Sequence, residues 1–306
     1  QENSLETRIK QLEESGVLPP RLAQLERKLI PIVEAMEKAG MKIDRRYFAE
    51  LGAEMDEKMA GIEKEVYRMA GQQFNLNSPA QLATVLFQTL GLPSKGLKKT
   101  PGGVFSTASE ELEKIHDLHP VVPEVVAYRE LKKLLSTYVH PLGEKADANN
   151  RVHSNFDQLG AATGRLTSSN PNLQNIPLQG FWGEKIRKGF IAEKNHLLLS
   201  FDYSQMELRI TAALAKETKM KAFFAEGFDI HTMTAAEVFG VSPEDISSEM
   251  RFKAKALNFG VMYGMGARGF ARASGISFQE AQDFVDRYFL RFPGILKYME
   301  ETKEFA

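Results

Sequence analysis

The run Ser200-Phe-Asp-Tyr-Ser-Gln-Met-Glu-Leu-Arg209 marks a change of secondary structure within the 306 residues of the chain. Residues His196–Phe201 are almost continuously apolar, which predicts a strand buried on both faces. A first strand, Phe190–Ala192, is predicted just before it. From Gln205 onward the pattern is helical almost to the end of the chain. Asp202 therefore stands between a buried strand and a helix.

The position of Asp202 allows two interpretations. A carboxylate held at the end of a strand can bind a hard divalent cation such as Mg²⁺. The same carboxylate can instead cap the helix that follows, and position alone does not decide between them. Glu207 lies about one and a third helical turns further on, so it can border the same site without sharing the metal. Taken alone, it is typical of a solvated helix face.

A second group of residues recurs every four positions: Arg251, Lys255, Phe259 and Tyr263. This spacing predicts one stripe along a helix, with two cations followed by two aromatic rings. The cations suit the phosphates of a nucleotide near the positive end of the helix, and the rings suit its sugar and base. An amphipathic helix with a buried aromatic half gives the same spacing. Several glycines near the end of the helix favour a hinge or a close backbone approach: Gly260, Gly264 and Gly266.

The segment Thr163–Pro177 is polar and poor in helix formers. Its side chains offer donors and acceptors of the kind found along a nucleic-acid groove, namely Arg165, Asn170, Asn172, Gln174 and Asn175. An ordered loop that satisfies its own backbone explains the same composition. His231 opens a predicted helix and can reach an anion, although a single histidine is more often structural.

The upstream part of the chain has a helical pattern. Apolar residues from Phe48 to Met69 follow steps of three and four, which predicts a long amphipathic helix. Shorter helices are predicted over Pro79–Leu90 and Pro123–Val139, and the second could return antiparallel to the long helix. Between them, Lys95–Gly103 is a basic loop rich in helix breakers.

Composition excludes several classes of protein. The chain has no cysteine, so disulfides, thiol nucleophiles and cysteine-ligated metals are excluded. Its formal charge of −1 gives no sign of a polyanionic partner, but residues 248–275 carry five cations against one acid. No apolar run approaches the roughly 20 residues of a membrane span, and the polar N-terminus does not resemble a secretory signal. We expect a soluble intracellular protein.

Together these segments resemble the DNA polymerase I family, also called family A. Four motifs occur in the family's order, and a looser match at Phe74–Pro79 extends the resemblance to about residues 22–306. The four matching segments are residues 163–177 (template-primer segment), 202–209 (motif A), 229–231 (a fingers signature) and 251–264 (motif B).

The resemblance implies an α+β, mostly helical fold with right-hand polymerase architecture: a helical thumb, an antiparallel-sheet palm and helical fingers. The fold is expected to be incomplete at the C-terminus. The implied domains are 1–43 (N-terminal connector and palm-associated helices), 44–150 (thumb), 151–215 (first part of the palm, with motif A) and 216–306 (fingers, with motif B).

The resemblance also implies the reaction. The function would be template-directed DNA synthesis from dNTPs on primer-template DNA, with two Mg²⁺ ions, or Mn²⁺, as cofactor. Asp202 would bind both ions with the backbone carbonyl of Tyr203. Lys255 would protonate the leaving group and contact the triphosphate together with Arg251 and His231. The protein would act as a monomer in a bacterial-type cytoplasm, associated with the nucleoid.

The remaining implied roles concern selection of the nucleotide and the DNA. Phe259 would pack on the incoming sugar and Tyr263 would stack at the templating position. Glu207, with Gln205 beside it, would act as a gate against a 2′-hydroxyl. Arg165 would read the primer end in the minor groove. The template-primer would be supported by Asn172, Gln174 and Asn175.

One departure from the family keeps alternatives open. The family places a second metal-binding aspartate in a His-Asp-Glu turn after the fingers, and the 306 residues do not contain it. We therefore expect the chain alone to be weakly active or inactive. The alternatives are a non-catalytic nucleic-acid-binding module and a single-subunit RNA polymerase, against which Glu207 argues.

Overall fold

The computed structural model describes residues 4–178 and 180–305. The chain packs into two units, residues 1–198 and 199–306, which are described separately below. No helix of the described residues is long and apolar enough to cross a membrane. The boundaries of the four predicted domains stay predictions.

Unit 1 combines eight helices with two small antiparallel sheets among its described residues. The helices are α1 Leu5–Glu14, α2 Pro20–Ala39, α3 Arg45–Ala70, α4 Pro79–Thr84, α5 Ser109–Glu113, α6 Val121–Leu134, α7 His140–Lys145 and α8 Phe181–Lys188. Single π-helical turns continue α4 over Val85–Thr89 and α6 over Leu135–Val139, and a 3₁₀ turn spans His116–Leu118. The strands are β1 Met41–Lys42, β2 Arg151–Val152, β3 Asn155–Asp157 and β4 Thr167–Ser169. β1 pairs with β2, and β3 with β4.

The predicted amphipathic helix is confirmed as α3, which provides the core of unit 1. Its buried face packs against α6, whose inner side chains are equally buried. Asp44 caps the N-terminus by accepting a hydrogen bond from the Tyr47 N–H, and Gly71 ends the helix with a φ of 69°. The buried residues of the two helices are Phe48, Leu51, Gly52, Met55, Ile62, Val66, Ala70, Val121, Val122, Val125, Tyr128, Leu131 and Leu134.

A glycine shows how closely α3 approaches the segment after α8. A Cβ built on Gly189 would stand 2.4 Å from the Phe48 ring, so only glycine fits without displacing the ring. The neighbouring Phe190 then packs edge-on against Phe48, with 5.8 Å between ring centroids. Phe190 also forms an isolated antiparallel bridge with Ile43. The start of the predicted first strand is therefore anchored, although only as a bridge.

The predicted strand over His196–Phe201 is wrong. These residues are extended without strand pairing, and the apolar side chains are exposed, Leu197 by 85% and Phe201 by 89%. A strand buried on both faces needs neighbouring strands and a cover on each face. Within the described ranges, no other segment pairs with these residues.

All secondary-structure elements among the described residues of unit 2 are helices. Its helices are α9 Met206–Leu214, α10 Thr218–Ala225, α11 Ile230–Phe239, α12 Ser248–Met262, α13 Ala267–Ser274, α14 Phe278–Arg291 and α15 Pro293–Phe305, with a 3₁₀ turn at Pro243–Asp245. The core is formed by Leu208, Ala212, Met220, Ile230, Val238, Leu257, Val261, Phe270, Tyr288 and Phe292. This core packs α11 against α12 and so places their N-terminal halves side by side.

Candidate functional site

The start of α9 decides against the capping interpretation of Asp202. The helix begins at Met206, and its N-cap is Gln205, which lies in the left-handed region at φ 53° and makes no side-chain capping bond. Asp202 therefore does not cap the helix. It lies exposed in the extended segment, as does Tyr203. Glu207 stands in the first turn of α9.

Glu207 and Tyr263 are brought together, although 56 residues separate them. The Tyr263 hydroxyl donates a hydrogen bond of 2.6 Å to Glu207 Oε2. Tyr263 is the C-cap of α12, and its backbone N–H still donates to the Phe259 carbonyl, so it ends the predicted stripe at the last turn of the helix. The bond joins the first turn of α9 to the last turn of α12. The two residues predicted to select the sugar and to stack at the template thus contact each other.

Arg251, Lys255 and Phe259 lie on α12 as predicted, spaced by about 6 Å along its axis. The helix begins at the N-cap Ser247, whose hydroxyl accepts a hydrogen bond from the Met250 N–H. Arg251 is thus in the first turn, where the helix dipole favours anions, whereas Lys255 stands at the middle of the helix. Lys255 is exposed, and the ion pairs found among the described residues do not include it.

Arg251 makes a bidentate contact that the sequence did not indicate. Its Nε and Nη2 donate to the two carboxylate oxygens of Asp229, at 3.2 and 2.8 Å. Asp229 is also the N-cap of α11, accepting from the Thr232 N–H at 2.7 Å. Partial burial disfavours the charged carboxylate, but the hydrogen bonds from Arg251 and Thr232 outweigh it and lower the pKa of Asp229 to about 2. This ion pair joins the N-terminal halves of α11 and α12.

His231, in the first turn of α11, is buried beside Phe259, with 5.6 Å between the ring centroids. Its Nδ1 lies 3.1 Å from the side-chain amide nitrogen of Asn258. Burial lowers the pKa of His231, and the nearby charges of Arg251 and Lys255 act in the same direction. The imidazole is therefore held in its neutral form. Sequence reasoning placed Asp229 in a family motif without a role and did not identify Asn258, and both make contacts here.

The polar segment Thr163–Pro177 contains strand β4 and is otherwise an ordered loop. Several of its side chains bond the backbone of the loop, as the interpretation of an ordered loop predicts. Asn172 Oδ1 accepts from the Gln174 backbone N–H, and Gln174 Nε2 donates to the Leu166 carbonyl at 2.8 Å. The Asn175 carbonyl accepts from the Tyr138 hydroxyl. Arg165 is exposed at the start of this loop. Gln174 and Asn175 are exposed and Asn172 is half-buried.

The described residues do not form a metal site by themselves. Within ranges 4–178 and 180–305, three or more histidine or acidic side chains nowhere converge as metal ligands. Asp202 supplies one carboxylate of the type that Mg²⁺ prefers. The donor set therefore fits such an ion in part only.

Comparison with known proteins matches these features to one family. Residues 45–306 match the profile of DNA polymerase family A. The chain is 45% identical over 283 residues to DNA polymerase I of Caldicellulosiruptor bescii, covering 92% of this chain and 33% of that protein. It is 45% identical over 282 residues to the thermostable DNA polymerase I of Thermus aquaticus, covering 92% and 34%. The chain thus spans about a third of the length of these relatives.

A solved structure has a similar fold. The POL domain of Pol1 from M. smegmatis, in complex with DNA primer-template and dNTP, matches with a TM-score of 0.81 and 33% identity. The match covers 96% of this chain and 50% of that one. The predicted fold class, α+β and mostly helical with the architecture of a polymerase, is confirmed.

Proposed function

Because the chain belongs to DNA polymerase family A, we propose that it takes part in template-directed DNA synthesis, the transfer of deoxynucleotides from dNTPs to a primer 3′-hydroxyl. The proposal rests on the contact between α11 and α12. There, Arg251 and His231 offer donors in the first turns of two helices, Lys255 follows one turn after Arg251, and the Phe259 ring lies beside His231. This arrangement suits a triphosphate followed by a sugar.

The cations act on the triphosphate. Arg251 presents a planar guanidinium that can hold two phosphate oxygens at once. Lys255 lies one turn along the same helix, exposed, with a proton on Nζ that the pyrophosphate leaving group needs. His231 contributes a neutral donor. We assign Lys255 the role of general acid and the other two the role of holding the phosphates.

The neighbouring residues act on the sugar and on the DNA. Phe259 packs on the deoxyribose, and Glu207 blocks a 2′-hydroxyl, with Gln205 beside it. Tyr263, which holds Glu207 through its hydroxyl, occupies the stacking position until the template base arrives. Arg165 contacts the primer end in the minor groove. Asn172, Gln174 and Asn175 support the template-primer, partly by fixing the loop that carries them.

Asp202 and the carbonyl of Tyr203 would hold Mg²⁺. When bound, two such ions would lower the pKa of the primer hydroxyl and stabilise charge on the leaving pyrophosphate. Among the described residues, the proposal assigns to these ions the Asp202 carboxylate and the Tyr203 carbonyl; no three acidic or histidine side chains converge there.

Primer extension tests the proposal. The product of the gene at its own locus is purified beside the 306-residue chain, each as wild type and as Asp202→Ala. We expect template-dependent extension by the gene product and a loss of at least about a hundredfold in Asp202→Ala, because metal ligation supplies several kcal/mol of transition-state stabilisation. Asp245→Ala, an exposed acid of the same unit, is the matched control. Full activity in Asp202→Ala would disprove the assignment.

The lack of a complete metal site among the described residues favours a second candidate, a nucleic-acid-binding module without chemistry. The polymerase and the binding module differ in whether the gene product extends a primer. A gene product that binds primer-template DNA with strong salt dependence but never extends the primer, with Mg²⁺ or Mn²⁺, supports the module and refutes the polymerase.

A further inference from the structure

Three polar side chains are enclosed between α11 and α12: His231, Thr234 and Asn258, which are exposed by 3%, 0% and 0%. Asn258 Nδ2 lies 3.1 Å from His231 Nδ1 and 3.1 Å from Thr234 Oγ1. The Thr234 hydroxyl is also 3.3 Å from Asn258 Oδ1. Buried polar groups are tolerated when each is hydrogen-bonded, and a satisfied cluster of this kind fixes the orientation of its members.

The amide nitrogen of Asn258 fixes the proton of His231. An amide NH₂ group donates only, so the Nδ1 atom that faces it must accept. In a neutral imidazole with an accepting Nδ1, the proton is on Nε2. An imidazolium would set one donor against another at Nδ1. The contact therefore disfavours both the other tautomer and the charged form.

The charges around the ring determine how far it can be protonated. Asp229, two residues earlier on α11, favours the imidazolium, whereas Arg251 and Lys255 on α12 oppose it. Burial opposes it most strongly. None of the hydrogen bonds among the described residues reaches Nε2. The Nε2–H group is thus left to an acceptor from outside the chain.

We propose that Asn258 is a positioning residue, which holds His231 as the neutral Nε2–H tautomer so that this histidine presents an N–H donor to a phosphate oxygen of the incoming nucleotide. Thr234 is the anchor that holds this amide between α11 and α12, since its hydroxyl contacts both Nδ2 and Oδ1. The identity of the acceptor rests on the proposed function, but the tautomer does not. The opposite amide orientation would bring Oδ1 to Nδ1 and move the proton there.

Long-range ¹H–¹⁵N correlation spectra of the ¹⁵N-labelled chain distinguish the two orientations, because they report which ring nitrogen of each histidine is protonated. The chain has six histidines, and His231→Gln assigns the signal. We expect wild-type His231 to show the Nε2–H pattern at neutral pH. A pattern with the proton on Nδ1 would overturn the proposal.

Two variants test whether Asn258 is the cause. Asn258→Asp places an acceptor and a negative charge at Nδ1, and we expect the proton to move to Nδ1 and the pKa of His231 to rise by about one to three units. Gln279→Glu adds the same charge on the exposed side of α14 and should leave both unchanged. Thr234→Val keeps the side-chain shape, removes the anchor and should give a mixture of tautomers. An unaltered tautomer in both Asn258→Asp and Thr234→Val would refute the role.

Titration with inorganic tripolyphosphate separates this inference from the proposed function. We expect the His231 Nε2–H signal of the wild type to shift on binding, and Thr234→Val to bind more weakly in proportion to the fraction of His231 that has lost the Nε2–H tautomer, about twofold for an even mixture. The Nε2–H tautomer without any response to tripolyphosphate would support the role of Asn258 and contradict the proposed acceptor. The Nδ1–H tautomer with normal binding of tripolyphosphate would contradict the positioning role of Asn258 but not the proposed nucleotide site.

Discussion

Replacing Asp229 with asparagine should destabilise unit 2 by about 1 kcal/mol at pH 7, and the loss should shrink toward zero as the pH falls to 2. Asparagine caps a helix as well as aspartate does, so the N-terminus of α11 keeps its cap. The variant therefore reports the ion pair between Asp229 and Arg251, whose atoms are 2.8 and 3.2 Å apart.

The magnitude follows from the pKa. The pKa of Asp229 is lowered from 3.8 to about 2, and a difference of this size corresponds to about 2–3 kcal/mol of preference for the charged form in the folded state. The side chains of Asp229 and Arg251 are 38% and 44% exposed, so solvent screens much of this energy. Exposed ion pairs measure at about 0.2–1 kcal/mol, and we take the upper end because the contact is bidentate.

The direction of the pH dependence follows from the lowered pKa. The unfolded chain binds the proton of Asp229 more tightly than the folded chain does. The stabilisation is therefore complete above pH 3.8, the unfolded value, and is lost as the pH falls through about 2.

Urea unfolding of wild type, Asp229→Asn, Arg251→Gln and the double variant, from pH 7 downward, measures the coupling between the two residues. Glu249→Gln is the control, because Glu249 pairs with Lys253 on α12 but is 74% exposed, and no measurable change is expected. A difference between wild type and Asp229→Asn that persists unchanged at low pH would show that it does not come from the ion pair. Additive effects of the two single variants at pH 7 would do the same.

Three further predictions concern packing, the gate and DNA binding. Gly294→Ala should destabilise the chain by about 1–3 kcal/mol in urea unfolding, because its Cβ would stand 2.8 Å from the Ala215 carbonyl oxygen, whereas Gly61→Ala, in open space on α3, should stabilise it by up to about 1 kcal/mol. Equal changes in the free energy of unfolding for Gly294→Ala and Gly61→Ala would contradict the close approach of Gly294 to Ala215. Glu207→Ala should raise incorporation of ribonucleotides relative to deoxynucleotides in primer extension, and Glu226→Ala should not; an unchanged ratio would remove Glu207 from the gate. Arg165→Ala should weaken binding of primer-template DNA, measured by fluorescence anisotropy, whereas Lys255→Ala, a residue assigned to the triphosphate, should leave it unchanged; equal affinities of wild type and Arg165→Ala would exclude the minor-groove contact.

The helices could be predicted from sequence where the pattern is local. The steps of three and four in α3, and the stripe of Arg251, Lys255 and Phe259 on α12, each lie within one element and report its buried and exposed faces directly. The residues of the site could be named from motifs of the family for the same reason. Their roles remain predictions.

The errors concern partners that are distant in sequence. The apolar run over His196–Phe201 indicates a preference for burial but not a neighbour that buries it, and the structure leaves it exposed. Asp229 pairs with Arg251 across 22 residues, and Asn258 meets His231 across 27. Such contacts depend on how α11 packs against α12, which periodicity within either helix does not specify. The N-cap position of Asp229 was the one local signal.

The contact between Asp229 and Arg251 also affects how readily an anion can come and go. A carboxylate that already occupies two N–H groups of the guanidinium is an internal competitor, and its effective concentration is high because both residues belong to the same chain. On the proposed function, a triphosphate would displace it by engaging Lys255 and His231 as well, whereas a weakly held solvent anion would not. Asp229 would return as the phosphates leave, so we expect the ion pair to lower the affinity for the nucleotide and to speed its release. The ratio of the dissociation rates of pyrophosphate from wild type and from Asp229→Asn would measure how much the ion pair speeds release.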